Sequence, residues 1–172
     1  MKMPEKIETD RLILVPMAQC YAEDVFREFT PEITVLMTVP VPMSINDSKQ
    51  WIKTTISKYK DGTDYIFAIL LRETAEFIGG GGIHHMDTKT PEFGIWTKKS
   101  SHGNKYGREA IQGAKAWADE NLNYDYLKYP VFADNIASCK IPESLGGRVI
   151  RDYMEKNGAG VEMKTVEYRI DR

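Results

Sequence analysis

Hydrophobic residues recur along the chain at two different periods, and the alternation between them predicts strands and helices in turn. Short apolar runs that end at turn residues predict seven strands, at 7–15, 65–72, 77–85, 93–97, 126–133, 149–154 and 161–170. The turns between the second, third and fourth strands are short, which favours an antiparallel meander. The last two strands flank Asn157-Gly158-Ala159-Gly160 and are expected to form a closing hairpin.

Apolar residues three and four positions apart predict helices at 18–29, 44–61, 106–121 and 135–145. Ser44 followed by Asp47 is a capping arrangement, and Gly146 after the last helix is a common C-terminal signal. Residues 30–43 contain three prolines and are expected to be irregular or only briefly helical. The resulting order, β-α-α-β-β-β-α-β-α-β-β, predicts one α+β domain over residues 1–172, with a mixed, mostly antiparallel central sheet flanked by helices.

Composition narrows the class of protein. The 172 residues include 42% hydrophobic and 28% charged residues, an ordinary globular balance that argues against wholesale disorder. The formal net charge of −2 disfavours a nucleic-acid partner, which normally requires a basic face. We find no apolar run near the roughly 20 residues that a membrane helix needs. Residues 1–6 carry charges without a following apolar segment, so a secretory signal is not expected.

The only cysteines are Cys20 and Cys139, too few for a disulfide framework or, without clustered partners, for a zinc site. These features predict a soluble, reduced, cytoplasmic protein with no membrane, nucleic-acid or metal partner.

The stretch from Trp96 to Ala110 carries the strongest chemical signal. A strand ends, a polar loop with Gly103 follows, and a helix begins near Gly107. Unpaired N–H groups and the helix dipole favour an anion at such a helix start. Four cations surround the loop, namely Lys98, Lys99, Lys105 and Arg108. A phosphate or pyrophosphate would fit here, although an ordinary solvated loop explains these residues equally well.

A second polar segment covers residues 135–147. Asn135 can cap the helix that follows, and Ser138 lies one turn into it. Pro142 has no N–H, so the Ser138 carbonyl loses its usual helical partner and the helix should be irregular there. Taken alone, these residues are most simply an N-cap and a local backbone contact.

Five short segments add a signal through their order and spacing. They are Thr9-Asp10-Arg11-Leu12-Ile13-Leu14, Phe77-Ile78-Gly79-Gly80 with Ile83-His84, Glu92-Phe93-Gly94-Ile95-Trp96, the loop from His102 to Gly107, and Asn135-x-x-Ser138 followed by Glu143-Ser144-Leu145-Gly146-Gly147. Together they resemble the GNAT superfamily of acetyl-CoA-dependent N-acyltransferases, specifically its ribosomal-protein N-terminal acetyltransferase-like (RimJ/RimL-like) branch. The chain departs from that pattern at His102, where the family has Gln or Arg, and at Lys105, where it has glycine.

The resemblance implies a GNAT-like fold and an activity, transfer of an acetyl group from acetyl-CoA to a primary amine by direct attack on the thioester. It places the pantetheine arm along the backbone of Ile95, Trp96 and Thr97. It places the pyrophosphate at the loop residues His102, Gly103, Asn104, Lys105, Tyr106, Gly107 and Arg108. By the same resemblance, Asn135 would contact the cofactor or a water near the thioester, and Ser138 would protonate the leaving thiolate. No metal is implied.

The general base stays open at this point. The resemblance points to Glu92, because many relatives carry a glutamate on that strand, although a solvated residue at a strand start is the simpler interpretation. His84 is another candidate, but a lone inward histidine is more often a satisfied polar group. His84 and His85 face opposite sides of a strand and cannot easily share one metal. Three tyrosines flank a later strand, and nothing in the sequence singles one out: Tyr124, Tyr126 and Tyr129.

Two other functions compete with the enzyme. A non-catalytic acyl-CoA-binding or sensing protein on the same fold would explain Lys105 and the uncertain base, and an interaction module would leave the pocket unused. The acceptor could be a protein N-terminus, a polyamine, an amino acid derivative or an aminoglycoside-like amine. A homodimer is possible by resemblance to the family.

Overall fold

The computed structural model describes residues 3–172, which form eight strands and five α-helices. The strands are β1 (Ile7–Glu8), β2 (Leu12–Pro16), β3 (Tyr65–Leu71), β4 (Phe77–His84), β5 (Glu92–Thr97), β6 (Leu127–Phe132), β7 (Arg148–Lys156) and β8 (Glu162–Ile170). The helices are α1 (Ala22–Glu28), α2 (Pro31–Thr34), α3 (Ile45–Asp61), α4 (Tyr106–Asn121) and α5 (Ile136–Glu143). Residues 1 and 2, which belong to the predicted domain and to the start tested for a signal, lie outside this description.

All eight strands join one sheet in the order β1-β2-β3-β4-β5-β6-β8-β7. Neighbouring strands are antiparallel except β5 and β6, which are parallel because α4 crosses over between them. The predicted meander over β3, β4 and β5 and the closing hairpin of β7 and β8 are confirmed. The α+β class with a mixed, mostly antiparallel sheet is therefore confirmed.

Alternating side chains on the central strands supply two separate cores. On β3, Phe67 and Ile69 point to the face covered by α4. Ile66 and Ala68 point to the opposite face, which α1 and α3 cover. Successive residues of a strand face opposite sides, so an apolar run such as β3 can serve both layers.

The parallel neighbours β5 and β6 separate soon after they meet. Their register contains one pair, Glu92 with Lys128, and the Lys128 N–H donates to the Pro91 carbonyl at 2.8 Å. Within the described residues β6 makes no further pairs with β5 and instead pairs along its length with β8. The β5 backbone from residue 95 to residue 97 is therefore left without a neighbour on this side.

Two predicted boundaries at the start of the chain are wrong. The single strand predicted at 7–15 is a hairpin of β1 and β2, because the polar Thr9 closes a turn with Leu12 through N–H···O at 3.0 Å. The helix predicted at 18–29 begins as a 3-10 turn at Gln19–Tyr21 and becomes α-helical only at Ala22. Ala18 offers no side-chain acceptor to cap an α-helix at the predicted position.

The predicted capping of α3 is confirmed. The Ser44 hydroxyl accepts from the Asp47 N–H at 3.3 Å, and Asp47 Oδ2 accepts from the N–H groups of Met43 and Ser44 at 2.9 Å. Gly62 ends the helix in the left-handed conformation that glycine tolerates best. The helix predicted at 106–121 has the predicted bounds, and the proline-rich segment contains only the four-residue α2.

The turn between β7 and β8 holds the segment after α2 in place. The Gly158 N–H donates to the Met37 carbonyl at 2.7 Å, and the Asn157 amide donates to the Val35 carbonyl at 2.9 Å. A Cβ on Gly158 would lie 2.3 Å from the Val39 carbonyl oxygen, so this close approach requires glycine. These contacts hold the proline-rich segment over the face of the sheet that α1 and α3 cover, and we call residues 37–43 the roof segment. In the part of the chain that the structure describes, no helix is long and apolar enough to cross a membrane.

Candidate active site

A cleft of about 400 Å³ opens where β5 and β6 part. It is lined by most of the residues that the sequence singled out: Ile95, Trp96, Thr97, His102, Gly103, Lys105, Tyr106, Gly107, Arg108, Asn135 and Ser138. Lys140 also lines it, a cation on α5 that the sequence analysis missed. The one carboxylate among the described lining residues, Glu32, is already paired with Lys99 at 2.7 Å. We call this site the basic cleft.

The start of α4 forms one wall of the basic cleft. Lys105 is the N-cap residue and adopts φ 61° and ψ 20°, and no side chain caps the helix. The N–H groups of the first turn therefore have no intrahelical acceptor, and the helix dipole adds to their attraction for an anion. Asn104 does not line the cleft, because its side-chain amide donates to the carbonyls of Ser101 and His102.

The loop before α4 is tied to the neighbouring strands at two points. The imidazole Nε2 of His102 lies 2.9 Å from the carbonyl oxygen of Thr97, the last residue of β5. On the other side, Arg11 Nη2 donates to the Asn104 carbonyl at 3.1 Å. The Arg11 guanidinium also lies over the Tyr106 ring, 4.7 Å from its centroid.

The Glu109 carboxylate, in the first turn of α4, organises this tie. It accepts hydrogen bonds from the Thr9 hydroxyl at 2.6 Å and from the Arg11 N–H and Nε at 2.7 Å. Burial alone would raise the pKa of Glu109, but these hydrogen bonds outweigh it and hold the pKa below its usual value. The Thr9-Asp10-Arg11 motif thus has a physical role, since it fixes the hairpin β1–β2 to the loop of the basic cleft.

The opposite wall contains Asn135 and Ser138. The Asn135 side chain accepts from the Ser138 N–H at 3.2 Å, so its predicted role as an N-cap is confirmed. The Ser138 hydroxyl lies 2.8 Å from the hydroxyl of Tyr129, which points inward from β6. Tyr129 is 2% exposed, and burial raises its pKa well above the ordinary value, so it carries its proton at neutral pH. Period-two alternation on β6 was the only sequence signal for Tyr129, and it did not reveal this contact.

A second cavity of about 580 Å³ lies on the α1 and α3 face of the sheet. Its walls come from the roof segment 37–43, from Val25 and Phe29, and from Trp51 on α3. Its lining shares Met37, Ile95 and Trp96 with the basic cleft, so the two spaces meet at these residues. We call this second space the apolar cavity.

Glycines on β4 and β5 make room for the floor of the apolar cavity. A Cβ on Gly82 would lie 3.1 Å from His84 Nε2, and a Cβ on Gly94 would lie 3.4 Å from the same atom. The His84 ring therefore lies over these two glycines, which both line the cavity. The strand alternation puts Glu92 on this face too, level with His84 across the β4–β5 pair, but Glu92 lines neither space.

His84 is held by a buried carboxylate. Its Nδ1 lies 2.9 Å from Oδ2 of Asp64, which is 2% exposed and also pairs with Lys58 Nζ at 3.2 Å. Burial would raise the pKa of Asp64, but its contacts with His84, Lys58 and the His85 N–H keep the pKa well below its usual value. The sequence analysis considered His84 but missed Asp64. Among residues 3–172, no group of three histidine, cysteine or acidic residues could hold a metal ion.

Comparisons with known proteins bear on the family and the fold of this chain. The family model described as "Acetyltransferase (GNAT) domain" matches residues 11–148. The chain is 29% identical over 158 residues to the uncharacterized N-acetyltransferase YoaA of Bacillus subtilis strain 168, covering 88% of this chain and 89% of the relative.

Two solved structures illustrate the shared fold. The Microcin C7 self-immunity acetyltransferase MccE, in complex with acetyl-CoA and AMP, has a TM-score of 0.83 at 18% identity, covering 95% of this chain and 94% of that one. The RimL ribosomal alpha-N-protein acetyltransferase, in complex with coenzyme A, has a TM-score of 0.84 at 15% identity, covering 97% and 99%. The expected GNAT fold and the resemblance to RimL are thereby confirmed.

Replacing Lys105 by glycine is expected to stabilise the protein. A non-glycine residue in the left-handed conformation costs about 1–2 kcal/mol, of which the greater freedom of glycine in the unfolded chain cancels about 0.4–1 kcal/mol. Lys105→Gly should therefore raise the free energy of unfolding by about 0.5–1 kcal/mol in urea denaturation. Lys105→Ala, which removes the charge but keeps the strained backbone, should show no such gain. Equal effects of the two variants would contradict this account.

Glu109→Gln should lower stability by about 2 kcal/mol at pH 7, because hydrogen bonds to a charged group are lost. The folded-state pKa of Glu109 is lowered, so its stabilisation is present above the ordinary carboxyl pKa and is lost as the pH falls through the folded-state value. The difference between native and variant should therefore shrink in denaturation series from pH 7 to pH 3. Glu120→Gln, an exposed change on the same helix, is the control. A difference that stays constant with pH would show that the carboxylate charge is not responsible.

Proposed function

This chain belongs to the acetyltransferase (GNAT) family, and from that premise we propose that residues 1–172 form one N-acetyltransferase domain with acetyl-CoA bound in the basic cleft. The protein is an acetyl-CoA-dependent N-acetyltransferase, and the acetyl acceptor is an amine. The observation that carries the placement of the cofactor is the parting of β5 and β6, which leaves backbone groups of β5 available beside an anion-attracting helix start.

The two ends of the cofactor suit different parts of the basic cleft. We propose that the pantetheine runs along Ile95, Trp96 and Thr97 as an added strand would, with its amides paired to the backbone groups of β5 that point away from β4. The pyrophosphate then lies at the N–H groups of residues 103–108. His102, Lys105, Arg108 and Lys140 surround that position with positive charge or hydrogen-bond donors. This arrangement brings the thioester to the place where the basic cleft meets the apolar cavity.

The reaction needs two proton movements. An amine with a pKa of about 10 is mostly protonated at neutral pH and must lose a proton before it attacks the thioester carbonyl. The new C–N bond forms as the C–S bond breaks, and the departing thiolate takes up a proton. We propose that the Ser138 hydroxyl gives that proton and regains one from the nitrogen, which sheds a proton as the amide forms. The protonated Tyr129 hydroxyl, 2.8 Å away, holds the Ser138 hydroxyl in position. Asn135 holds Ser138 in place through the Ser138 N–H.

We propose that Glu92 is the final acceptor of the proton that leaves the amine, reached through water or through a neighbouring side chain. Its support is its position on β5, on the same face as Gly94 and Trp96 of the apolar cavity and level with His84.

Two further expectations belong to this proposal. We propose a cytoplasmic protein, because both cysteines are free thiols, as is usual in a reducing compartment. We also propose a homodimer. The outer strand β7 exposes the apolar side chains of Val149, Ile150 and Met154, which makes this edge the first place to test. A monomer in sedimentation at micromolar concentration would end the dimer proposal.

Calorimetric titration with acetyl-CoA tests the placement of the cofactor. Gly107→Glu should weaken binding at least tenfold, because it puts a carboxylate against the pyrophosphate. Gly107→Gln is the matched control, since a Cβ there would meet only Ile141 Cδ1 at 3.5 Å and Ile95 Cγ1 at 3.7 Å. Equal binding by the native chain and both variants would place the pyrophosphate elsewhere. No binding by the native chain would overturn the proposal.

Thiol release from acetyl-CoA in the presence of amines separates an enzyme from a non-catalytic acyl-CoA-binding protein. Ser138→Ala should lower kcat about tenfold to a hundredfold, towards the lower end of general-acid effects because a thiolate is a fair leaving group. Its affinity for acetyl-CoA should stay within about twofold. Ser144→Ala, at the C-terminal end of the same helix and outside the basic cleft, is the control. Binding without turnover by the native chain would favour the acyl-CoA-binding protein.

A further inference from the structure

Most of the side chains that line the apolar cavity are apolar, and few are polar. Phe29, Trp51 and Trp96 contribute large ring surfaces to it. Among the described residues that line it, Asp47 is the sole carboxylate, and its Oδ2 already accepts two backbone N–H groups at the start of α3. A molecule with several positive charges could pair only one of them, with the Asp47 carboxylate, and would lose the hydration of the others. The lining therefore disfavours a polycationic acceptor.

Ser48 supplies a polar group with no use inside the folded chain. It is 2% exposed and lines the apolar cavity, and its hydroxyl has no hydrogen-bond partner among the described residues. A buried hydroxyl without a partner is costly, so it requires an explanation. A hydrogen-bonding group on a molecule bound in the cavity would supply the missing partner.

The His84 imidazole is another polar group that lines the apolar cavity. Its Nδ1 is engaged by Asp64, while its Nε2 lies over Gly82 and Gly94 in the cavity floor. With Nδ1–H donating to the carboxylate, the lone pair on Nε2 is left to accept a proton. The buried carboxylate fixes the ring and stabilises the imidazolium that forms, which are the roles of the acid in a histidine–aspartate pair.

We propose that the acceptor of this enzyme is a primary amine carried on an apolar, ring-sized body with one hydrogen-bonding group, that it binds in the apolar cavity, and that His84, oriented by Asp64, takes the proton from its ammonium group. This inference rests on the proposed function, because it needs acetyl-CoA in the basic cleft. The shared residues Ile95 and Trp96 place the amine side of the cavity next to the thioester side of the cleft.

The ammonium group of the acceptor loses two protons during the reaction. His84 Nε2 removes one proton from the ammonium, and the neutral amine attacks the thioester carbonyl. The nitrogen loses its second proton as the C–S bond breaks, and one proton ends on the coenzyme A thiol. The products are the acetamide and free coenzyme A, with one net proton released to solvent. Glu92, level with His84 across the β4–β5 pair, lies in position to pass that proton outward.

Several charged or titratable groups face His84. From α3 and the turn after it come Lys58 and Asp64, and Asp47 lies in the same cavity. Glu92 faces it from β5, and the His85 ring centroid is 6.4 Å away. A pH profile of activity could reflect any of these groups as well as His84. The test of His84 therefore uses substitution and chemical rescue at one pH.

The class of acceptor is tested with native protein and three amines. Tyramine and phenethylamine supply an apolar ring with and without a hydroxyl, and spermidine supplies several charges on a flexible chain. With acetyl-CoA saturating, we expect kcat/KM for tyramine to exceed that for spermidine at least tenfold. Acetyl-CoA binding with spermidine preferred would overturn this inference and leave the proposed function standing. Failure to bind acetyl-CoA would overturn both.

Ser48→Ala tests the hydrogen-bonding group. It removes the unpartnered hydroxyl and fits the helix, so the variant should be at least as stable as the native protein. We expect the advantage of tyramine over phenethylamine, measured as the ratio of kcat/KM values, to fall threefold or more in this variant. An unchanged ratio would remove Ser48 from the acceptor site.

His84 is tested by substitution and chemical rescue. His84→Gln should lower kcat at least a hundredfold while acetyl-CoA affinity stays within about twofold, and His85→Asn, which suits the left-handed backbone there, is the control. His84→Gly leaves a gap over Gly82 and Gly94, and added imidazole should restore turnover at least tenfold. A fully active His84→Gln variant, or a folded His84→Gly variant that imidazole does not rescue, would show that His84 is not the base.

Discussion

The separation of β5 and β6 determines the shape of the basic cleft. A parallel pair needs a crossover, and here α4 supplies it, beginning at Tyr106 after the loop 98–105 that follows β5. Because β6 pairs with β8 along its whole length, its ladder with β5 contains only the pair Glu92–Lys128. The same geometry therefore leaves free backbone on β5 and puts a helix N-terminus beside it. These two features together are the basis of our proposal that an amide-bearing, anionic cofactor binds here. The Glu109 carboxylate keeps them aligned by joining α4 to Thr9 and Arg11.

Two spaces of opposite chemistry meet at one point on β5. The basic cleft is lined by His102, Lys105, Arg108 and Lys140, whereas the apolar cavity presents aromatic rings and few charges. Ile95 and Trp96 line both spaces, although as neighbouring β5 residues they point to opposite faces of the sheet. Glycines in β4 and β5 then allow side chains to lie flat across the sheet on the cavity side. In our proposal, the amine in the apolar cavity reaches the carbonyl carbon of the thioester held in the basic cleft.

The structural features that depend on local sequence patterns could be predicted from the sequence. The bounds of α4, the Ser44–Asp47 capping box, the meander and the Asn135 cap are all short-range features, and all were confirmed. The hairpin at Thr9 was missed because a three-residue polar turn interrupts an otherwise strand-like run. Most members of the basic cleft were found through resemblance to a family, and the structure shows why they lie together. The pairs Tyr129–Ser138 and Asp64–His84 could not be predicted, because each depends on how separate elements pack against one another.

Hydrogen exchange on the free and acetyl-CoA-bound protein, followed by mass spectrometry of peptides, tests whether the cofactor binds where β5 and β6 separate. We expect slower exchange on binding in peptides that cover residues 95–97 and 103–108, because N–H groups there that lack an acceptor in the free protein become hydrogen-bond donors to the cofactor. Strand β7, at the far edge of the sheet, should show no change. Protection confined to other segments, with residues 95–97 unchanged, would contradict the claim that the parting of β5 and β6 forms the cofactor site.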